Sequence, residues 1–188
     1  MKKRVLFIDR DGTIIKETKN EKIDSFEKLE FYPNCIYYLR KICKKLNYEL
    51  VMFTNQDGLG TNYFPEDTFW PVQNFIINTF KNEGIVFQNI FIDKTFPKDN
   101  APTRKPGMAL LKDYISNSDY DLSNSFMIGD RLTDVELAKN FGGKAFFIND
   151  ETHLGVNEIV VKREELDKFI ALETNDWKKI YKFLKKID

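Results

Sequence analysis

Four short stretches of this 188-residue chain carry side chains that could do chemistry together: Asp9-Arg10-Asp11-Gly12-Thr13, Thr54-Asn55, Arg104-Lys105, and Gly129-Asp130-Arg131 followed by Asp134. Carboxylates that converge raise one another's pKa unless a cation offsets them. If Asp9, Asp11 and Asp130 converge, their oxygens, without Cys or His, favour a hard ion. Carboxylate, water and substrate phosphate together are typical of Mg²⁺. Such a site beside the Thr54 hydroxyl and the Lys105 ammonium is a phosphate site, and backbone N–H groups near Gly12 and Asn55 add donors. A carboxylate can also attack phosphorus and form an aspartyl-phosphate. Asp9, at a strand end, is the expected nucleophile. Asp11, two residues on, is the expected proton donor to the leaving oxygen and then the acceptor from the attacking water. Arg10, Asn55 and Arg104 are the candidate substrate-binding residues, although Arg104 reads equally as a solvated side chain.

Apolar strand-like runs alternate with amphipathic helical runs, and these elements must position the four stretches. Strands are predicted at Val5–Asp9, Glu49–Phe53, Asn89–Ile92, Ser125–Gly129 and Lys144–Ile148, and helices at Pro33–Asn47, Pro65–Glu83, Pro106–Asn117, Arg131–Phe141 and Asn175–Ile187. Pro71 either kinks the second helix or marks its true start. This alternation implies an α/β fold, Rossmann-like and doubly wound, with a parallel sheet and helices on both faces. Such sheets bind ligands beyond the carboxyl ends of their strands, which is where all four stretches fall. The segments after Thr13 and after Asn55 are too short for a separate cap domain. The expected site is therefore capless and shaped by loops 14–32, 56–66 and 93–105.

Composition narrows the classes. Residues 1–188 read as a single domain. Lys plus Arg and Asp plus Glu both number 29, so there is no basic excess of the kind a nucleic-acid binder shows. No apolar run is long enough to span a bilayer, and the one behind Met1-Lys2-Lys3-Arg4 is too short for a signal-peptide core. The expected location is cytoplasmic, with neither nucleic acid nor membrane as partner. Two cysteines, Cys35 and Cys43, and one histidine, His153, exclude a disulfide scaffold and a four-cysteine zinc site. His153 reads as a loop residue.

The four stretches, in this order, resemble the motifs of the haloacid-dehalogenase-like phosphatases. Phe7-Ile8-Asp9-Arg10-Asp11-Gly12-Thr13, Thr54-Asn55-Gln56-Asp57-Gly58-Leu59-Gly60 and Ile128-Gly129-Asp130-Arg131 together resemble the histidinol-phosphate phosphatases, including the phosphatase half of the bifunctional enzymes that also carry imidazoleglycerol-phosphate dehydratase. The heptose-bisphosphate phosphatases are near relatives. The resemblance implies a phosphoric monoester hydrolase of histidine biosynthesis. It also implies Asp9 as nucleophile and Mg²⁺ ligand, Asp11 as acid/base with its carbonyl on Mg²⁺, and Asp130 as a further ligand. The partner implied is a small phosphorylated metabolite, histidinol phosphate first and a sugar phosphate or heptose bisphosphate second.

Two departures accompany the likeness. The histidine-pathway branch carries a zinc loop of three Cys and one His before Arg-Lys-Pro. The matching positions here are Asp93, Thr95, Ala101 and Thr103, so no structural zinc is expected. The sequence also ends at Asp188, so no dehydratase half is expected with it.

Plainer readings stand beside these. Asp9 and Asp11 are common turn residues, and Asp134 suits the first turn of a helix as well as it suits a site. Tyr63, Phe64, Phe69 and Trp70 read as core. From another functional class, a signalling receiver domain also offers a doubly wound sheet, an acidic pocket, a Thr and a Lys. Its phosphoryl acceptor, however, would follow the third strand, at Asp93.

Overall fold

In a computed structural model, residues 2–149 and 161–188 are described; His153 lies outside them. Arg4–Ile8 (β1) is the central strand, because Val5, Leu6, Phe7 and Ile8 are apolar on both faces and fully buried. It pairs in parallel with Tyr48–Asn55 (β2) on one side and Phe126–Gly129 (β4) on the other. Phe87–Asp93 (β3), Lys144–Phe147 (β5) and Ile170–Glu173 (β6) complete a six-stranded parallel sheet of order β3-β2-β1-β4-β5-β6. Strand periodicity sends alternate residues to opposite faces. Leu6, Ile8, Leu50, Met52, Phe126 and Ile128 pack against Cys35–Lys45 (α1), Glu66–Asn82 (α2) and Trp177–Ile187 (α6). Val5, Phe7, Val51, Phe53 and Met127 pack against Lys112–Ser116 (α3), Leu132–Phe141 (α4) and Arg163–Leu166 (α5). This is the doubly wound α/β fold expected.

The two places where a cap could be inserted hold only loops. Residues 14–34 fold back through an Ile15–Phe31 bridge and a single 3-10 turn, Phe26–Lys28, and residues 56–65 through bridges from Phe64 to Leu59 and Thr61.

Some elements differ from the sequence expectation. The predicted helix Pro106–Asn117 is only a 3-10 turn, Ala109–Leu111, followed by α3. The Gly107 amide bonds the Arg104 carbonyl at 2.6 Å and the Ala109 amide bonds the Pro102 carbonyl at 3.0 Å, so residues 102–109 close on themselves as a loop. α2 runs through Pro71 rather than starting there, because Phe69, Val72 and Ile76 all face the interior. Phe64 and Phe69 are core, whereas Tyr63 is exposed at the mouth of the site and Trp70 is exposed on α2. β6 and α5 were not anticipated: β6 is a four-residue edge strand, only partly buried, with no continuous apolar signal.

Candidate active site

The first strand's end and the fourth's meet at the point where the strand order reverses, and there the sheet opens into a pocket. Asp9, Asp11, Thr54, Asn55, Arg104 and Lys105 line it, together with Glu17, Glu21, Lys22, Asp57, Tyr63, Arg131 and Thr133. Asp9 leaves β1 with its amide still bonded to the Ile128 carbonyl at 2.8 Å, so the backbone beneath its carboxylate is fixed by the sheet.

Three carboxylates cluster at this crevice. Asp9, Asp130 and Asp134 each present an oxygen, and these oxygens lie within 4.8 Å of one another. Two glycines make the space. Gly12 has φ of +69°, and a Cβ there would sit 2.1 Å from Asp130 Oδ2. A Cβ on Gly129 would sit 2.2 Å from Asp134 Cγ. Asp134 has both of the roles its position allows. Its Oδ2 accepts the Arg131 amide at 3.0 Å, closing the first turn of α4, and its Oδ1 accepts from Lys105 Nζ at 2.6 Å. Lys105 Nζ also lies 2.8 Å from Asp9 Oδ1, so one ammonium serves two acids.

The electrostatics follow from burial. Burial, with Asp9, Asp134 and Glu17 adding like charge, pushes the Asp130 carboxyl well above the usual range. Burial lifts Asp134 to about 6, against the pull of Lys105 and with help from Asp9. For Lys105, burial opposes the charged form, but Asp134 and Asp9 outweigh it and hold its pKa above the ordinary lysine value. Asp130 Oδ1 is buried with no hydrogen-bond partner among the described residues. A set of oxygen donors with surplus negative charge and a buried unsatisfied oxygen fits a hard divalent cation.

Asp11 stands apart from this cluster. Arg10 Nη1 donates to both its carboxylate oxygens at 3.0 Å, and Gln56 Nε2 donates to Oδ2 at 2.5 Å. These two donors hold the Asp11 side chain at the pocket lining, and the third carboxylate of the cluster is Asp134. Arg10 is 0 % exposed, packed over the Phe69 ring and beneath the pocket rather than in its lining. There it supports Asp11, while Gln56 ties Asp11 to the Thr54 hydroxyl at 2.9 Å. Asn55 brackets the Lys105 backbone, accepting its amide at 3.0 Å and donating to its carbonyl at 3.4 Å. Arg104 reaches Asp57 at 2.5 Å and the Thr95 carbonyl at 3.1 Å.

Glu17 carries no pattern that sets it apart from ordinary polar loop residues, whereas Gln56 and Asp57 lie within the run 54–60 that carries the family resemblance. Glu17 pairs with Arg131 at 2.7 Å, and burial lifts its pKa to about 7 against Arg131 and with Asp11 and Glu21 adding.

Of the four positions matched to zinc ligands, three meet in a hydrogen-bonded cluster. Asp93 Oδ1 accepts from the Thr95 amide and hydroxyl, and its Oδ2 accepts from the Thr103 hydroxyl. A receiver domain would phosphorylate that position, yet here both oxygens are taken. The strand order also differs from the 2-1-3-4-5 order of receivers.

Comparisons with known proteins agree with this geometry. A family model described as HAD-hydrolase-like matches residues 102–158. The chain is 51% identical over 185 residues to the histidine biosynthesis bifunctional protein HisB of Bacteroides fragilis, covering 98% of this chain and 48% of that protein. It is 48% identical over 186 residues to the protein of the same name from Spirosoma linguale, covering 97% and 48%. The chain thus spans about half the length of these curated relatives. Among solved structures, D,D-heptose 1,7-bisphosphate phosphatase from B. bronchiseptica, complexed with magnesium and phosphate, superposes with a TM-score of 0.79 at 20% identity, covering 98% of this chain and 99% of that one. The phosphatase of the same name from Burkholderia thailandensis gives 0.60 at 18% identity, covering 98% of each. With its strand order, its acidic switch point and relatives this similar along nearly its whole length, the chain belongs to the haloacid-dehalogenase-like hydrolases.

Proposed function

We propose that residues 1–188 form one catalytic domain, a phosphoric monoester hydrolase that cleaves histidinol phosphate in two steps through an aspartyl-phosphate on Asp9. The observation that carries this is the setting of Asp9. It is 5 % exposed, fixed at the end of the central strand, paired with Lys105 and open to the pocket. The names of the relatives point to histidine biosynthesis, and thus to a small phosphorylated metabolite as the partner. Among the described residues no helix is long and apolar enough to cross a membrane.

In the first step a carboxylate oxygen of Asp9 bonds to phosphorus, the ester P–O bond breaks, and the leaving oxygen takes a proton from the Asp11 carboxyl. In the second, water attacks the same phosphorus, its proton passes to the Asp11 carboxylate, and the bond to Asp9 breaks. Arg10 and Gln56 aim the Asp11 carboxylate into the pocket for this exchange. The Thr54 hydroxyl and Lys105 ammonium hold the anionic phosphoryl oxygens, and Asn55 fixes Lys105 through its backbone. Arg104 faces the rest of the substrate at the pocket mouth. Asp9 and Asp130 would hold Mg²⁺ by their side chains, Asp11 by its carbonyl, and Asp134 lies within reach. Bound there, the ion would neutralise the acidic cluster and the charge that develops on the phosphoryl group.

The test is phosphate release from a panel of histidinol phosphate, sugar phosphates and heptose bisphosphate, with and without Mg²⁺. Histidinol phosphate is expected to be the fastest substrate, with turnover dependent on Mg²⁺ and abolished by Asp9→Asn. Faster turnover of a heptose bisphosphate would replace the substrate, and full activity in Asp9→Asn would remove the mechanism.

A further inference from the structure

Asp93 lies at the end of β3, away from the acidic cluster, and is 3 % exposed. Its carboxylate gathers a loop from both ends. Oδ1 accepts the Thr95 amide at 2.9 Å and the Thr95 hydroxyl at 2.5 Å, and Oδ2 accepts the Thr103 hydroxyl at 2.5 Å. Residues 94–104 are thereby pinned at their first and last turns by one anion. Thr95 is the pivot of this arrangement, because its carbonyl accepts Arg104 Nη1 at 3.1 Å. The Arg104 guanidinium is set between that carbonyl and Asp57, on the pocket wall. The clasp also aims Phe96 at the neighbouring loop: a Cβ on Gly58 would meet its ring at 2.3 Å, and Tyr63 lies against it at 5.7 Å between centroids.

We propose that Asp93 is a positioning residue for substrate binding, a metal-free clasp that works through Thr95 to hold Arg104 at the mouth of the pocket. This rests on the phosphatase reading above and extends it to the part of the site that touches the substrate beyond its phosphate. Charge-assisted hydrogen bonds in a buried setting suit the task, since they are short and directional where a loop would otherwise be free to move. Arg104 makes contact with substrate, whereas Asp93 does not.

The experiment is steady-state kinetics on histidinol phosphate and on p-nitrophenyl phosphate for wild type, Asp93→Asn, Arg104→Ala and the double variant, with a melting curve for each. With histidinol phosphate, Asp93→Asn is expected to raise KM by about tenfold, roughly the loss of one charge-assisted contact, and to leave kcat within about twofold. In the Arg104→Ala background the same change is expected to add nothing, because the residue it acts through is gone. Independent, multiplying losses in the double variant overturn the proposal, and so does an unchanged KM. If Asp93→Asn does not fold, Thr95→Val, which removes one hydroxyl and keeps the shape, carries the same comparison. A wild type that turns over neither ester overturns the phosphatase reading and this proposal together. A wild type that turns over either ester while Asp93→Asn leaves KM unchanged overturns this proposal alone.

Discussion

Asp130 carries more negative charge around it than a buried carboxylate tolerates, and that excess is what suits the crevice to a cation. Asp130→Asn removes one of three clustered charges while keeping size. The metal-free variant is therefore expected to melt higher than metal-free wild type, yet to lose activity and its response to Mg²⁺. For wild type, a cation at one hundred times its Kd adds about 2.7 kcal/mol, or about 5–10 °C for a protein of this size. A melting curve with and without Mg²⁺ reads both effects. Gly12→Ala makes the complementary point, because its Cβ would strike Asp130 and its φ is left-handed. A loss of about 1–3 kcal/mol is expected from the backbone alone, together with weaker Mg²⁺ binding, both visible in a denaturant titration. At this scale much was legible. Asp9, Asp11, Thr54 and Asp130 stand where strand ends put them, and Lys105 reaches the same crevice from the loop after β3. Asp134 was ambiguous because the same carboxylate caps a helix and meets Lys105. Arg10 was misleading in another way: an arginine beside two acids suggests a substrate contact, but nothing in a sequence says that its guanidinium is turned inward beneath Asp11.

Elements hold these residues because buried strands leave little room for other placements. β1, flanked in register by β2 and β4, brings Asp9, Thr54 and Asp130 to the same edge of the sheet. α6 reaches back to this edge: Trp177 is fully buried and donates its indole N–H to the Thr13 carbonyl at 3.2 Å. Trp177→Ala is expected to destabilise by about 3–5 kcal/mol and to lower kcat through the loosened loop after β1. Chemical denaturation and kinetics on the same preparation check this. The loop after β3 is held by hydrogen bonds that Thr95 and Thr103 donate to Asp93, so metal analysis of purified protein is expected to return no stoichiometric zinc. Tightly bound zinc would contradict that reading of the loop. Long elements with a clean period, such as the strands of the sheet's centre and α6, were legible from the sequence. The segment before α3, where a local turn replaces the expected helix, and β6, whose apolar run is four residues at an edge, were not. For β6 the deciding partner, β5, lies far back in the chain.

Over the whole molecule, the acidic pocket links protonation to stability. Asp134 is raised from 3.8 to about 6, Glu17 from 4.5 to about 7, and Asp130 upward as well, in each case chiefly by burial. Groups that hold their protons more tightly when folded contribute stability that is fully present below the ordinary carboxylate range and is lost as pH rises through the raised values. Metal-free protein is thus expected to melt higher at pH 5 than at pH 7, with Mg²⁺ recovering the loss at pH 7. A metal-free melting temperature that rises over this interval would contradict the assignment of these groups. The central claim concerns one covalent bond, and rapid-quench labelling tests it most directly. Wild-type protein mixed with ³²P-labelled histidinol phosphate and Mg²⁺, quenched in acid within one turnover and peptide-mapped, is expected to carry label on the peptide containing Asp9, transiently and at less than one equivalent. Brisk phosphate release with no label on that peptide at any time would contradict it.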